Sequence, residues 1–140
     1  MMVCSVTIPG KPVPWARAVD NASGIGRHTP APQRQFKKTI QQYLSFAAVP
    51  RIVMQPNGVP LNLACRIFLP FPDAASRAAA GAGPGYCTDR PDLDNWLKLP
   101  MDAMNGIVWA DDCQVVTFDG SGKWYSLSPR LEIVVIRLAA

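Results

Sequence analysis

The chain has 140 residues, 49% of them hydrophobic, and carries 14 Lys and Arg against 10 Asp and Glu, a formal net charge of +4. That length suits one domain and that apolar share can bury a core, which excludes a disordered tail. No run of about 18 apolar residues suggests a membrane helix, and the opening MMVCSVTIPGK lacks the basic and long apolar parts of a secretory signal. Cys4, Cys65, Cys87 and Cys113 form no CxxC pair. The expectation is a small cytoplasmic domain with free thiols, without disulfide or zinc site and without a membrane.

In chain order, residues 3–8 alternate as a strand ended by Pro9-Gly10, and residues 11–27 read as a basic, Pro- and Gly-rich loop. Thr29 before Pro30 signals a helix start with the threonine as N-cap. Phe36, Ile40, Tyr43, Leu44 and Ala47 then recur at helical spacing, with Arg34, Lys37 and Lys38 on the outer face. Residues 61–69 alternate as a second strand. Residues 71–87, rich in Ala, Gly and Pro, read as a loop with room for an Ala-rich helical turn. A second helix is expected over residues 92–106, then strands over 115–118 and 130–138 joined by a Gly-containing connection that holds Lys123. The sum is a single α/β (α+β) domain over residues 1–140, a mixed sheet with two main helices packed on it.

Charge is unevenly placed. Six of the ten acids (Asp89, Asp92, Asp94, Asp102, Asp111, Asp112) fall in one segment that holds only two bases, Arg90 and Lys98; the remainder has 12 bases against four acids. Such an island is either a chance cluster on a solvated face or a cation site set in a surface that attracts polyanions.

Within it, Arg90-Pro91-Asp92-Leu93-Asp94-Asn95 carries the most chemistry. Proline holds Arg90 extended, so the helix begins after Pro91. Two carboxylates at i and i+2 inside a helix diverge by about 200°, so Asp92 and Asp94 converge only if Asp92 is still extended and Asp94 is the N-cap. Further on, Asp94, Lys98, Asp102 and Asn105 share one face, opposite Leu93, Leu97, Met101 and Met104. Asp94 as a cap with Lys98 as its ion-pair partner is the plainer account of that face. Pro100 deletes a helical hydrogen bond and should kink or break the helix. Asp111-Asp112, after a Gly106 turn, sit where a strand starts, so one of them should face the Asp92/Asp94 pair. Carboxylates around a hard divalent cation are the Mg²⁺ pattern. His28, the one histidine, has no triad around it and reads as a surface or DNA-facing group.

The segment RPDLDNWLKLPMDAMNGIVWADDCQVV closely resembles the signature of the RusA family of Holliday-junction resolvases. VTIPGKPVPWAR resembles that family's first strand and basic loop, and Lys123 with PRLEIVVI its closing hairpin. The resemblance implies a small homodimeric endonuclease that uses Mg²⁺, with Mn²⁺ able to substitute, and nicks opposed strands of four-way junction DNA. By position, Asp92, Asp94 and Asp112 match the catalytic carboxylates and Lys98 the catalytic lysine. Asp111 and Asp102 match acids that recur beside the site, and Asp111 joins the other three as a metal ligand. DNA contacts are expected from Lys11, Arg17, Arg27, Arg34, Lys37, Lys38 and Arg90, with Arg77 near them, mostly to phosphates. Trp15, Phe71 and Tyr86 are candidates to wedge or stack at unpaired bases. Two other readings stand beside this one: a nuclease for flaps or forks, and a branched-DNA-binding module without catalysis.

Overall fold

The computed structural model describes residues 1–17, 19–81 and 83–139. Its frame is three long strands, β1 (Met2–Pro9), β4 (Leu61–Leu69) and β8 (Arg130–Arg137). β8 lies between the other two and is antiparallel to both. Period-two alternation puts Cys4, Val6 and Ile8 opposite Val135, Ile133 and Leu131, which in turn face Leu63, Cys65 and Ile67; all are buried. Onto this face pack α1 (Ala31–Phe46), through Phe36, Ile40 and Leu44, and α3 (Leu93–Met104), through Trp96, Leu97, Leu99, Ala103 and Met104. The mixed sheet and the two main helices are those expected.

Several local expectations are corrected. Residues 11–27 are not loop throughout, because β2 (Val19–Asp20) and β3 (Arg27–His28) close a small hairpin. The N-cap of α1 is Pro30 rather than Thr29, and no side chain caps the helix; the Thr29 carbonyl instead accepts from the Arg34 guanidinium. Residues 71–87 hold the Ala-rich helical turn for which they had room, α2 (Ala74–Ala80), whose cap Asp73 accepts from the Ser76 N–H at 2.7 Å, but they also contain a strand, β5 (Gly85–Tyr86).

The connection holding Lys123 is itself a strand, β7 (Gly122–Tyr125), parallel to the end of β4 and flanked by β5. β6 (Val115–Thr117) pairs with the beginning of β4, so six strands share one sheet. Pro100 does not break α3, which runs through it without interruption. One absent N–H is offset by the ring's own burial beside Leu99 and Ala103. No helix among the described residues is long and apolar enough to cross a membrane.

Candidate active site

The start of α3 is built by its neighbours. Lys123 on β7 donates from Nζ to the carbonyls of Asp89 at 2.6 Å and Pro91 at 2.8 Å, tying the segment before the helix to the sheet. Tyr125 adds a hydroxyl hydrogen bond to the Asp89 carboxylate. That bond, with the side chain of Cys87 and partial burial behind it, raises the tyrosine's pKa. The Arg90–Pro91 peptide is cis. The backbone is extended at Asp92 (φ −62°, ψ 154°), and the helix follows at once.

Asp92, not Asp94, is therefore the N-cap residue, and its side chain accepts no N–H from the helix it begins. Asp94 lies in the first turn, where the positive end of the helix dipole favours a carboxylate. The condition for the two acids to converge, an extended Asp92, is met; the other, Asp94 at the cap, is not. Asp94 pairs with Lys98 at 3.8 Å. The Lys98 ammonium also donates to Asn95 Oδ1 at 3.1 Å and stands 4.7 Å from the centre of the Trp15 ring. Trp15 is held in turn by its N–H, which donates to the Asn95 carbonyl at 3.0 Å. Arg90, Pro91, Asp92 and Asn95 line an open groove of about 490 Å³.

The second acidic pair is placed elsewhere. Asp111 and Asp112 do not begin a strand; they open a 3-10 turn (Asp112–Gln114) that precedes β6. Asp111 caps it, its Oδ1 accepting from the Cys113 N–H at 3.1 Å, while Gln114 Oε1 accepts from the Asp111 N–H at 3.0 Å. Asp112 Oδ1 accepts from the indole N–H of the fully buried Trp109 at 2.8 Å. Burial first, and the Asp111 charge second, push the neighbouring Cys113 thiol up. β6 joins β4 at Leu61, whereas Lys123 beside Pro91 is level with Ile67. Six strand residues separate the two levels, roughly 20 Å. Neither Asp111 nor Asp112 faces the Asp92/Asp94 pair within the chain. Among the described residues no three His, Cys, Asp or Glu side chains gather closely enough to hold one metal ion.

The basic residues fall into three groups. Arg34, Lys37 and Lys38 line a groove of about 490 Å³ with Trp15, Gln33 and Asp102, but Lys37 is committed to Asp102 at 2.9 Å. Lys11 and Arg90 share a groove with Phe71 and Tyr125 beside the start of α3. Arg17 is exposed, and Arg27 pairs with Asp20 at 3.1 Å on the β2–β3 hairpin. Arg77 lies on α2. His28 is exposed and bonds Asn21 at 2.8 Å. The supporting roles of Asn95, Trp15 and Lys123 are not evident from sequence; the resemblance marks Lys123 only as part of a closing hairpin, and Gly122 with two aromatic residues around it is too short to read as a strand.

The donors at the start of α3 fit a hard divalent cation in kind. They are carboxylate oxygens only, and that of Asp92 is uncommitted to its own helix.

Taken together, the fold and the site define a small mixed-sheet domain, basic outside one acidic segment, that sets two aspartates and a lysine at a helix start. A family model described as Endodeoxyribonuclease RusA matches residues 9–136. The chain belongs to the RusA endodeoxyribonuclease family, whose members are nucleases that act on branched DNA. It is also similar to a Bacillus subtilis (strain 168) protein named "Uncharacterized protein YqaN", 29% identical over 145 residues that cover 96% of each chain.

Proposed function

We propose that the protein is a Mg²⁺-dependent, structure-selective endonuclease that resolves Holliday junctions by paired symmetric nicks, as a homodimer acting in DNA recombination and repair. The observation that carries this is the uncommitted Asp92 carboxylate beside the Asp94–Lys98 pair, in a groove that Arg90 also lines. Asp92 and Asp94, with Asp112 and Asp111, would hold the metal. Bound there, a divalent cation, Mg²⁺ or Mn²⁺, supplies activation of an attacking water and neutralises charge on the leaving oxygen. Lys98, kept in place by Asp94, Asn95 and Trp15, offers its ammonium to the charge that develops on the phosphate. Arg90, Lys11, Arg34 and Lys38 hold backbone phosphates, with Arg17 and Arg27 extending that surface.

The separation of the two acidic pairs supports the dimer. Asp111 and Asp112 lie past the far end of α3, so a second copy is the natural source of the missing ligands, and two-fold symmetry then gives two sites for two opposed cuts.

The test is cleavage of a labelled four-way junction, beside linear duplex and flap DNA, by wild type, Asp92→Asn and Asp94→Asn. Opposed nicks in wild type with Mg²⁺, reduced more than about a hundred-fold in both variants while junction binding persists, are expected. Faster cutting of flaps would replace the substrate; tight binding by a wild type that never cuts would leave a binding module. A mixture of Asp92→Asn and Asp112→Asn chains should recover single nicks, because one site of the mixed dimer is then whole.

A further inference from the structure

The sheet face turned away from α1 and α3 carries aromatic side chains that the site leaves unused. Alternation along β4 sends Cys65 and Ile67 into the core and Arg66 and Phe68 to the reverse side. The pairing register then sets Phe68 beside Trp124 and Trp124 beside Tyr86. The Phe68 and Trp124 rings stack with centroids 5.3 Å apart and planes 21° from parallel, and Tyr86 lies 6.3 Å beyond.

Two features make this a platform rather than a second core. Gly122 leaves space that the indole fills: a Cβ there would meet the Trp124 ring at 2.5 Å, so the ring lies back across its own strand. Tyr86, at the sheet edge, is 83% exposed, far more than packing alone calls for. Two arginines stand beside it. Arg130 sits 3.8 Å over the Phe68 ring and is balanced by Glu132 at 2.8 Å. Arg66 is exposed, tied through Nε to the Gly120 carbonyl at 3.2 Å, and forms no ion pair among the described residues.

We propose that Tyr86 and Trp124 stack unpaired bases of the DNA, with Arg66 meeting the phosphates beside them. Every base has a π-face, so such a platform is tolerant of sequence and selects opened DNA over closed duplex. Tyr86 stands on the edge strand β5 six residues before Asp92 in the chain, so a DNA strand passing round β5 leads from the platform toward the groove of Arg90 and Asp92. The inference rests on the DNA substrate proposed above.

The test is binding of labelled oligothymidylate and of blunt duplex to wild type, Tyr86→Ala, Tyr86→Phe, Trp124→Leu and Gly122→Ala, each checked for folding by circular dichroism and melting. Tyr86→Ala and Trp124→Leu should each weaken oligothymidylate binding about five- to a hundred-fold. Tyr86→Phe should retain it, Gly122→Ala should weaken it by displacing the indole, and blunt duplex should bind all five alike. Folded variants that bind oligothymidylate as wild type does would overturn the platform. So would variants that become monomeric in sedimentation while binding is intact, since the face would then be a contact between copies. Junction cleavage by wild type with unaltered binding by the variants removes this inference alone. A wild type that cuts no branched DNA, yet loses oligothymidylate on Tyr86→Ala, removes the proposed function and leaves the platform.

Discussion

At the start of α3, the Asp92 side chain accepts no N–H from its helix and Asp94 holds a lysine at 3.8 Å. Past the other end, Asp111 Oδ1 is taken by the Cys113 N–H and Asp112 Oδ1 by the Trp109 indole, both near 3 Å. The residue type is the same and the surroundings are not. At one end Lys123 fastens the backbone and Tyr125 holds the Asp89 carboxylate, which leaves the Asp92 carboxylate to meet something else. At the other end the carboxylates do the fastening. Acid content marks the segment, and local hydrogen bonds decide which oxygens are left over, Oδ2 alone in Asp111 and Asp112.

Breaking the fastening at each end should separate these roles. The largest effect on stability is expected from Gln114→Ala. This 5% exposed side chain accepts from the Ala110 and Asp111 N–H groups at 3.0 Å and donates to the carbonyls of Pro56 at 2.8 Å and Val59 at 3.2 Å. Leaving those groups unpaired should cost about 3 kcal/mol, read from urea unfolding. Lys123→Met removes two bonds under the Asp92 segment in a half-exposed place, so the stability loss should be only about 1 kcal/mol. Junction cleavage should fall roughly ten-fold, since the segment that carries Asp92 is no longer held against the sheet. A loss of stability with cleavage unchanged would show that Lys123 supports the sheet and not the site. In metal-free protein Asp111→Ala deletes the cap of the 3-10 turn and should cost about 1 kcal/mol by the same unfolding assay.

The smallest effect concerns the thiols. Burial pushes Cys4 up to about 11 and Cys65 up to about 12, from an ordinary 9.0. Folding therefore favours the neutral thiols. Their contribution is complete below the ordinary value and is lost as pH rises toward the folded ones. Unfolding free energy should be level through pH 8 and decline above about pH 9. At pH 8 a thiol reagent should modify the exposed Cys113 in the folded protein, more slowly than an ordinary free thiol because its pKa is raised, and Cys4, Cys65 and Cys87 only after unfolding.

Much of this was legible in the residues. The three long strands announce themselves because alternation over eight or nine residues has one physical meaning when one face is buried. The polar stripe of Asp94, Lys98, Asp102 and Asn105 is exposed as its spacing requires. That the helix starts only after Pro91 follows from the proline, which keeps Arg90 before it out of helical conformation. What was hidden depends on contacts distant in sequence. β7 has four residues, all half-buried, and becomes a strand only because the end of β4 lies beside it. Its Lys123 acquires a role through carbonyls more than thirty residues away. The Asp111–Asp112 turn is hidden because Gln114 closes a capping box there, which outcompetes an early strand. Pro100 misled because local propensity counts one missing hydrogen bond and not the burial around it.

The helix between β4 and β5 bears on how this fold tolerates change. α2 spans seven residues and buries none of its side chains. A helix so short draws little support from its own hydrogen bonds. It is slack in the chain, a length of rope between a rigid strand and the segment that delivers Tyr86 and Asp92. Residues gained or lost there re-register no strand and open no cavity, and a longer loop adds only about 0.6 kcal/mol for each doubling. Evolution and the engineer have the same free length to work with, immediately upstream of the chemistry.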